Sequence, residues 1–178
     1  MSRLAVLALL GMVVAAPAAA QRPQIRQGFW ISGGPSYGSL DLACTGCETD
    51  RESGLTLLLA LGGTLRPNLL LGGEIEGWGK EIQGVDLTVG HVSGVLYWYP
   101  RTTSGFFLKG GVGIAGYSAD AGPLGEEDDS GLGLHGGVGY DVRVGRNVSL
   151  TPTAGVFWAD LDGGDANEIH VGLAFTGH

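Results

Sequence analysis

The stretch from residue 131 to residue 142 (GLGLHGGVGYDV) constrains the fold more than any other part of the chain. One set of alternate residues is apolar and runs from Leu132 to Val142, while the intervening set is tiny or polar and includes His135. Strict alternation is the pattern of a β-strand with two unlike faces. The stretch is also long enough for a tilted strand that crosses a bilayer, which takes about 9–11 residues.

Seven other segments largely repeat this alternation, so the sequence predicts eight strands. The predicted strands are 28–37, 54–64, 69–79, 85–99, 105–117, 131–142, 148–158 and 168–176. In the fourth strand the apolar residues change parity, which indicates a β-bulge near Gly90 and His91. Short turns alternate with longer loops at 39–52, 119–129 and 160–166, although the connection at 80–84 is also short. This order is typical of an up-and-down transmembrane barrel.

Composition indicates which face of the sheet points outward. The chain is 44% hydrophobic and only 16% charged, and it contains 34 glycines. The polar face is mostly Gly, Ala, Ser and Thr, which suit the cramped interior of an eight-stranded barrel. A soluble barrel of the lipocalin kind would instead need charged residues on its water-facing surface. The aromatic residues predicted to form girdles at the membrane interfaces are Trp78, Trp98, Tyr99, Tyr117 and Trp158.

The sequence therefore predicts an all-β protein: an eight-stranded antiparallel up-and-down transmembrane β-barrel. Residues 1–20 are predicted to be a cleaved signal peptide, because Arg3 precedes an apolar run and an A-x-A cleavage site precedes Gln21. The barrel domain is then 21–178. Cys44 and Cys47 form a CTGC motif, and in an exported protein this favours a small disulfide within a loop.

The few charged residues on the polar face are predicted to point into the lumen. Because buried charges must be paired, we expect an internal ion-pair network there. Its predicted members are Glu74, Glu76, Lys109, Asp141 and Arg143, and His135 and His170 would face the same space. The network either only fills and holds the lumen or acts as a gate whose ion pairs exchange partners. With eight strands the lumen should be filled and not an open pore.

Most of the acidic residues lie in the longer loops, whereas the short turns carry Arg66, Arg101 and Arg146. The net charge of −8 argues against nucleic acid as a partner. The acidic loops could hold divalent cations, repel anions or meet a basic partner. The run EEDD at 126–129 lacks the ligand spacing of an EF-hand calcium loop. We expect no catalytic site, no cofactor and no dedicated metal site.

The signal peptide, the amphipathic strands, the Gly-rich lumen face and the aromatic Phe175 near the C-terminus give the chain a family resemblance. It resembles the small eight-stranded OmpA-like and OmpX-like barrels of the bacterial outer membrane over residues 21–175. The resemblance implies an integral outer-membrane protein that contacts outer-membrane lipid and lipopolysaccharide. It also implies insertion by the barrel assembly machinery, which usually reads a terminal aromatic residue. Here three residues follow Phe175.

The leading functional hypothesis is a non-enzymatic surface protein in which the barrel anchors the acidic loops, with protein partners unknown. A second hypothesis is a lipid A-modifying enzyme, because lipid A deacylases among small barrels use a His-x-Ser pair and this chain has His91 and Ser93. Residues two apart share a strand face, so the imidazole could activate the hydroxyl. No acid that would orient the imidazole can be named. Two further hypotheses are a soluble lipocalin-like binder and a packing subunit of a larger envelope complex.

Overall fold

A computed structural model of the chain describes residues 26–44, 51–82, 85–120, 126–161 and 164–178. The strands are β1 (Phe29–Cys44), β2 (Glu52–Arg66), β3 (Leu69–Ile82), β4 (Val85–Trp98), β5 (Phe106–Asp120), β6 (Glu126–Tyr140), β7 (Val142–Arg143), β8 (Val148–Leu161) and β9 (Gly164–Gly177). The two-residue strand β7 continues β6 beyond Asp141. Within the described ranges, no helix has the length and hydropathy needed to cross a membrane.

The sheet closes on itself into a barrel of eight long strands. Consecutive long strands pair antiparallel, and β6 pairs directly with β8 from Gly131 to Gly139. The circle is completed by β1 and β9, which pair antiparallel from Ile31 to Cys44. Closure gives the backbone groups of every long strand a partner on both sides and removes the free edges that an open sheet would expose. The predicted fold class is confirmed.

All the long strands except β4 are longer than predicted, and much of each predicted loop is paired sheet. Each long strand has 14 to 16 residues, more than the roughly 9–11 that cross a bilayer. The antiparallel ladder continues past the membrane because each strand still finds hydrogen-bonding partners on both sides. We call the end of the barrel near the connections 45–51, 83–84, 121–125 and 162–163 the loop end. The turn end is the opposite one, where residues 26 and 178 also lie.

The outer face of the barrel is apolar, as the alternation predicted. Leu134 is 44% exposed, Val171 59% and Ile114 71%, and all three point away from the lumen. The predicted bulge in β4 is wrong, because the pairing of β4 with β3 and with β5 runs without a shift through Gly90 and His91. The apolar residues change parity because Val89 faces the lumen, where it packs in an apolar layer.

Two apolar layers fill the lumen near its ends. The loop-end layer consists of Leu40, Trp78, Val89, Ala115, Phe157, Ala159, Leu161 and Ala166. The turn-end layer consists of Trp30, Ala60, Leu70, Val95, Tyr97, Tyr99 and Phe107. The girdle prediction is therefore wrong for Trp78 and Tyr99, which are each 1% exposed, and for Tyr117, which is partly buried and packs against the loop-end layer. Trp78 shares the inward parity of Glu74 and Glu76, and Tyr99 shares that of Tyr97. Trp98 and Trp158 do point outward.

Candidate functional site

A layer of polar side chains lies in the lumen between the two apolar layers. This polar layer consists of Thr56, Glu74, Glu76, His91, Ser93, Lys109, His135, Glu168 and His170, and all of them are buried. Their inward direction follows from strand parity, and the cross-strand register sets their position along the barrel axis. Because charged groups away from water are costly unless they are paired, the contacts inside this layer determine its stability and its chemistry.

Lys109 and Glu74 form the closest ion pair of the polar layer. The Nζ atom of Lys109 lies 2.7 Å from Oε1 of Glu74 and 3.9 Å from Oε2 of Glu76. The hydroxyl of Tyr97 donates to Oε2 of Glu74 at 2.9 Å. The register brings these groups together, because Tyr97 on β4 pairs with Lys109 on β5. Both carboxylate oxygens of Glu74 therefore have a partner.

Ser93, His135 and Glu74 lie in the order of a hydroxyl–imidazole–carboxylate triad. Oγ of Ser93 and Nε2 of His135 are hydrogen-bonded at 3.0 Å, and Nδ1 of His135 lies 3.0 Å from Oε1 of Glu74. This order resembles that of nucleophilic triads. The hypothesis based on His-x-Ser paired the hydroxyl with His91, but the ring of His91 instead stacks on Phe157 with their centroids 4.7 Å apart.

Glu76, Glu168 and His170 form the other half of the polar layer. Nδ1 of His170 lies 3.2 Å from Oε1 of Glu76 and 3.7 Å from Oε1 of Glu168. The hydroxyl of Thr56 donates to Oε1 of Glu168 at 2.6 Å. Two carboxylates and one imidazole therefore converge, a donor set that could hold a divalent metal ion.

Asp141 lies apart from the polar layer, at the turn end. Its Oδ2 atom is 3.5 Å from Nη2 of Arg26 and accepts a hydrogen bond from the Tyr99 hydroxyl at 3.0 Å. Its Oδ1 atom accepts from Thr151 at 3.0 Å, and Nε2 of His178 lies 3.6 Å from Oδ2. Burial, together with the adjacent Asp141 carboxylate, raises the pKa of the Tyr99 phenol, so this hydroxyl stays a donor at neutral pH.

The structure thus brings together three of the predicted network residues, Glu74, Glu76 and Lys109. The other two, Asp141 and Arg143, lie outside the polar layer. Arg143 donates from Nη1 to the backbone oxygen of Arg146 at 2.8 Å, a contact outside the polar layer. Glu168 was missed as a network member, although it shares the inward parity of His170 and could have been found by that signal. Arg26 precedes the first strand, so no periodic pattern marks it.

Two predictions concern residues that the structure does not describe. Cys47 and the side chain of Cys44 lie outside the described part of the chain, so the disulfide stays a prediction. The signal peptide at 1–20 also lies outside it and stays a prediction as well.

Comparison with known families establishes the family and the cellular location of the barrel. The family model described as "Outer membrane protein beta-barrel domain" matches residues 5–176. The chain belongs to this outer-membrane β-barrel family. The predicted integral location in the bacterial outer membrane is thereby confirmed. No curated protein matches the sequence.

Solved structures of small outer-membrane barrels have the same fold. Ail, the attachment invasion locus protein of Yersinia pestis, is 14% identical, with a TM-score of 0.63 over 85% of this chain and 99% of Ail. Neisserial surface protein A is 15% identical, with a TM-score of 0.59 over 83% of this chain and 96% of that one. OprG from Pseudomonas aeruginosa is 15% identical, with a TM-score of 0.50 over 88% and 100%. At such identities the likeness shows the fold alone. Ail has also been crystallised with the heparin analogue sucrose octasulfate.

Proposed function

We propose that this protein is a non-enzymatic surface protein of the outer membrane, in which a closed barrel anchors an acidic rim. The observation that carries the proposal is the filled lumen. Trp78 and Phe157 lie across it near the loop end, and Tyr99 and Phe107 lie across it near the turn end. The buried polar layer fills the space between them. A lumen packed in this way offers solutes no water-filled path, so the working surface is the outside of the molecule.

A conductance measurement tests the closed lumen. We expect the full-length barrel to give no steady single-channel current in planar bilayers, under conditions in which a 16-stranded porin conducts. Regular current steps from the unaltered protein would contradict the proposal. A variant with Trp78→Gly and Phe157→Gly removes part of the loop-end layer, and the intact turn-end layer should keep it closed.

The acidic rim is formed by carboxylates on the strand extensions at the loop end. Among the acidic residues whose side chains the structure describes, its exposed members are Glu81, Asp86, Asp160 and Asp165. Two further rim acids are in ion pairs: Asp41 with Arg51 at 3.3 Å, and Glu52 with Lys80 at 2.5 Å. Arg66, Arg101 and Arg146 are exposed near the turn end. The barrel therefore carries opposite charge at its two ends.

We expect the acidic rim to face the cell exterior, because outer-membrane barrels have short periplasmic turns and longer outer loops. A chain with Cys44→Ser and Cys47→Ser provides a thiol-free background for testing this. With Glu81→Cys added, it should react on intact cells with a maleimide that does not cross the membrane. The same chain with Val144→Cys, at the turn end, should react only after lysis. If Val144→Cys reacted on intact cells and Glu81→Cys reacted only after lysis, the barrel would have the opposite orientation.

The rim should attract cations and basic partners and repel polyanions. Binding of fluorescent oligolysine to the barrel in nanodiscs of neutral lipid should weaken as salt is added. It should also weaken when Glu81 and Asp86, on neighbouring strands, are replaced by Gln and Asn. Sucrose octasulfate, which Ail has been crystallised with, is a polyanion, and we expect no binding of it here. Divalent cations that bridge the rim to lipopolysaccharide phosphates would fit the same charge.

Biogenesis is proposed to use the barrel assembly machinery. Phe175 lies on the last strand, is 63% exposed and points to the outer face. We expect Phe175→Ala to lower the amount of protein in the outer-membrane fraction, while Phe29→Ala, on the first strand and equally exposed, has a smaller effect. Equal losses in the two variants would argue against recognition of Phe175 by the barrel assembly machinery.

A lipid A-modifying enzyme is the second candidate function, and the triad-like order of Ser93, His135 and Glu74 is what favours it. Two features weigh against it. Ser93 faces the lumen and is 6% exposed, so an acyl chain in the surrounding lipid has no contact with its hydroxyl. Glu74 is also engaged by Lys109 at 2.7 Å. We expect Ser93→Ala to leave the lipid A mass spectrum unchanged, and an altered spectrum would promote the enzyme hypothesis.

A further inference from the structure

The Glu76 carboxylate stands out among the buried groups of the lumen. The residue is 3% exposed, yet neither of its oxygens accepts a hydrogen bond from any residue that the structure describes. The Lys109 ammonium lies 3.9 Å from it and is much closer to Glu74, at 2.7 Å. A buried carboxylate without hydrogen bonds is costly and needs an explanation.

Glu168 and His170 point at the same place as Glu76, and the sheet makes room for them. One donor atom from each of the three residues lies within 4.8 Å of the other two. A Cβ atom at Gly38 would collide with the Glu168 carboxylate, and one at Gly155 would collide with the His170 ring. Glycine at these two positions therefore allows both side chains to lie where they converge.

The spacing of the donor atoms fits a small metal ion. In a tetrahedral zinc site the bonds are about 2.0–2.2 Å long, so neighbouring donor atoms are about 3.4 Å apart. Nδ1 of His170 lies 3.2 Å from Oε1 of Glu76 and 3.7 Å from Oε1 of Glu168. Calcium and magnesium take sets of six or more oxygens, whereas a set of imidazole and carboxylates suits zinc and related transition metals.

Charge balance in the polar layer supports a divalent cation. Among its described residues, the carboxylates of Glu74, Glu76 and Glu168 face the single ammonium of Lys109. With the carboxyl groups in the ionised form that metal ligation requires and the imidazoles neutral, the layer would carry two negative charges, which a divalent ion would offset. Glu74, His91 and His135 form another group of potential ligands, but both oxygens of Glu74 already have partners.

We infer that Glu76, Glu168 and His170 form a binding site for a divalent transition metal ion of the zinc class inside the lumen. Each of the three residues supplies one ligand atom. The hydrogen bond from Thr56 to Glu168, 2.6 Å long, holds that carboxylate in place, as outer-shell groups do at metal sites. The ion would stabilise the closed barrel from within by linking β3 to β9.

Metal content after refolding tests the site. The full-length protein is refolded in detergent with ZnCl₂, and loosely held zinc is removed by gel filtration with a weak chelator. We expect about one tightly bound zinc ion per barrel by mass spectrometry of the metal. Glu76→Gln and His170→Asn should each lower the zinc affinity by more than about tenfold. Ser149→Ala, which removes a buried hydroxyl outside the polar layer, is the control and should bind zinc as the unaltered protein does.

The unaltered protein supplies a second measurement that does not depend on whether the variants fold. Refolded with CoCl₂, it should show the visible absorption of four-coordinate cobalt, and a strong chelator should lower its unfolding midpoint. The inference is overturned if the unaltered protein neither retains zinc nor shows the cobalt absorption. It is also overturned if folded Glu76→Gln retains zinc, or if Ser149→Ala loses it to the same extent.

Discussion

Nζ of Lys109 and Oε1 of Glu74 lie 2.7 Å apart in the middle of a lumen that aromatic residues close on both sides. The two side chains are 2% and 0% exposed, so each charged group contacts the other instead of water. Removal of one partner from such a pair leaves an unpaired charge away from water, which costs more than the pair itself contributes.

Lys109→Met should therefore destabilise the barrel by about 3–5 kcal/mol, because it leaves Glu74 and Glu76 without their ammonium. Equilibrium unfolding by urea in detergent or lipid measures this. The double variant with Glu74→Gln should recover part of the loss.

Lys80→Met is the matched control for Lys109→Met. Lys80 pairs with Glu52 at 2.5 Å, a similar distance, but their side chains are 34% and 40% exposed. Because exposed ion pairs contribute little, the expected loss is below about 1 kcal/mol. Equal effects of the two substitutions would mean that the lumen is wetter than its packing indicates.

The outward face of the strands can be tested with charge. Leu134→Arg and Val171→Arg place a guanidinium against lipid and should each cost about 2–4 kcal/mol of folding free energy near the middle of the bilayer. Val144→Arg is the control, because Val144 is about as exposed as Val171 and more exposed than Leu134 but lies in a turn outside the strands. Normal stability of the first two variants would count against the assigned lipid face.

The loop-end layer should be sensitive to loss of volume. Phe157→Ala removes a ring that is 3% exposed and stacks on His91, and a cavity of this kind costs about 3–5 kcal/mol. Phe29→Ala truncates a ring that is 63% exposed, where no cavity is left behind, and should cost less. Unfolding free energies of the two variants that agree within error would contradict a tightly packed layer.

A single added methyl group can probe the space around the triad-like group. A Cβ atom at Gly111 would collide with Nε2 of His135 and would lie 2.6 Å from the backbone oxygen of Gly94. Gly111→Ala should thus cost about 1–3 kcal/mol and shift the imidazole resonances of His135. At Gly63 nothing lies within 4 Å of an added Cβ, so Gly63→Ala should be nearly neutral. The reverse order would show that the His135 ring lies elsewhere.

Sequence alone could predict the strands and their faces, because period-two alternation depends only on local geometry. The sequence could not predict the position of a lumen-facing residue along the barrel axis. Trp78 looked like an interfacial aromatic because it lies near the end of a predicted strand, yet its parity is that of Glu76 and it points inward. The predicted bulge would have placed Val89 on the same face as Val92 and Leu96, yet without the bulge it points inward. Large apolar side chains were not expected inside the barrel, so neither Trp78 nor Val89 was assigned there.

The contacts of the ion network depend on register, which alternation does not give. Glu74 itself pairs with Ser93 on β4. Tyr97, also on β4, pairs with Lys109 and donates to Glu74, so the three side chains meet. Asp141 shares the inward direction of these residues but lies at the turn end, where the contact comes from Arg26. A residue outside the strands has no periodic signal, so that contact could not be predicted.

Asp141 acts as a clasp between the beginning and the end of the described chain. Arg26 and His178 approach the same carboxylate oxygen, at 3.5 and 3.6 Å, and they can do so only after β1 has paired with β9. The contacts at Asp141 therefore report, at one point, that the first and last strands have paired and the barrel is closed. A reporter group on His178 would sense closure of the whole barrel, and a peptide fused after it would begin at the turn end, close to Arg26.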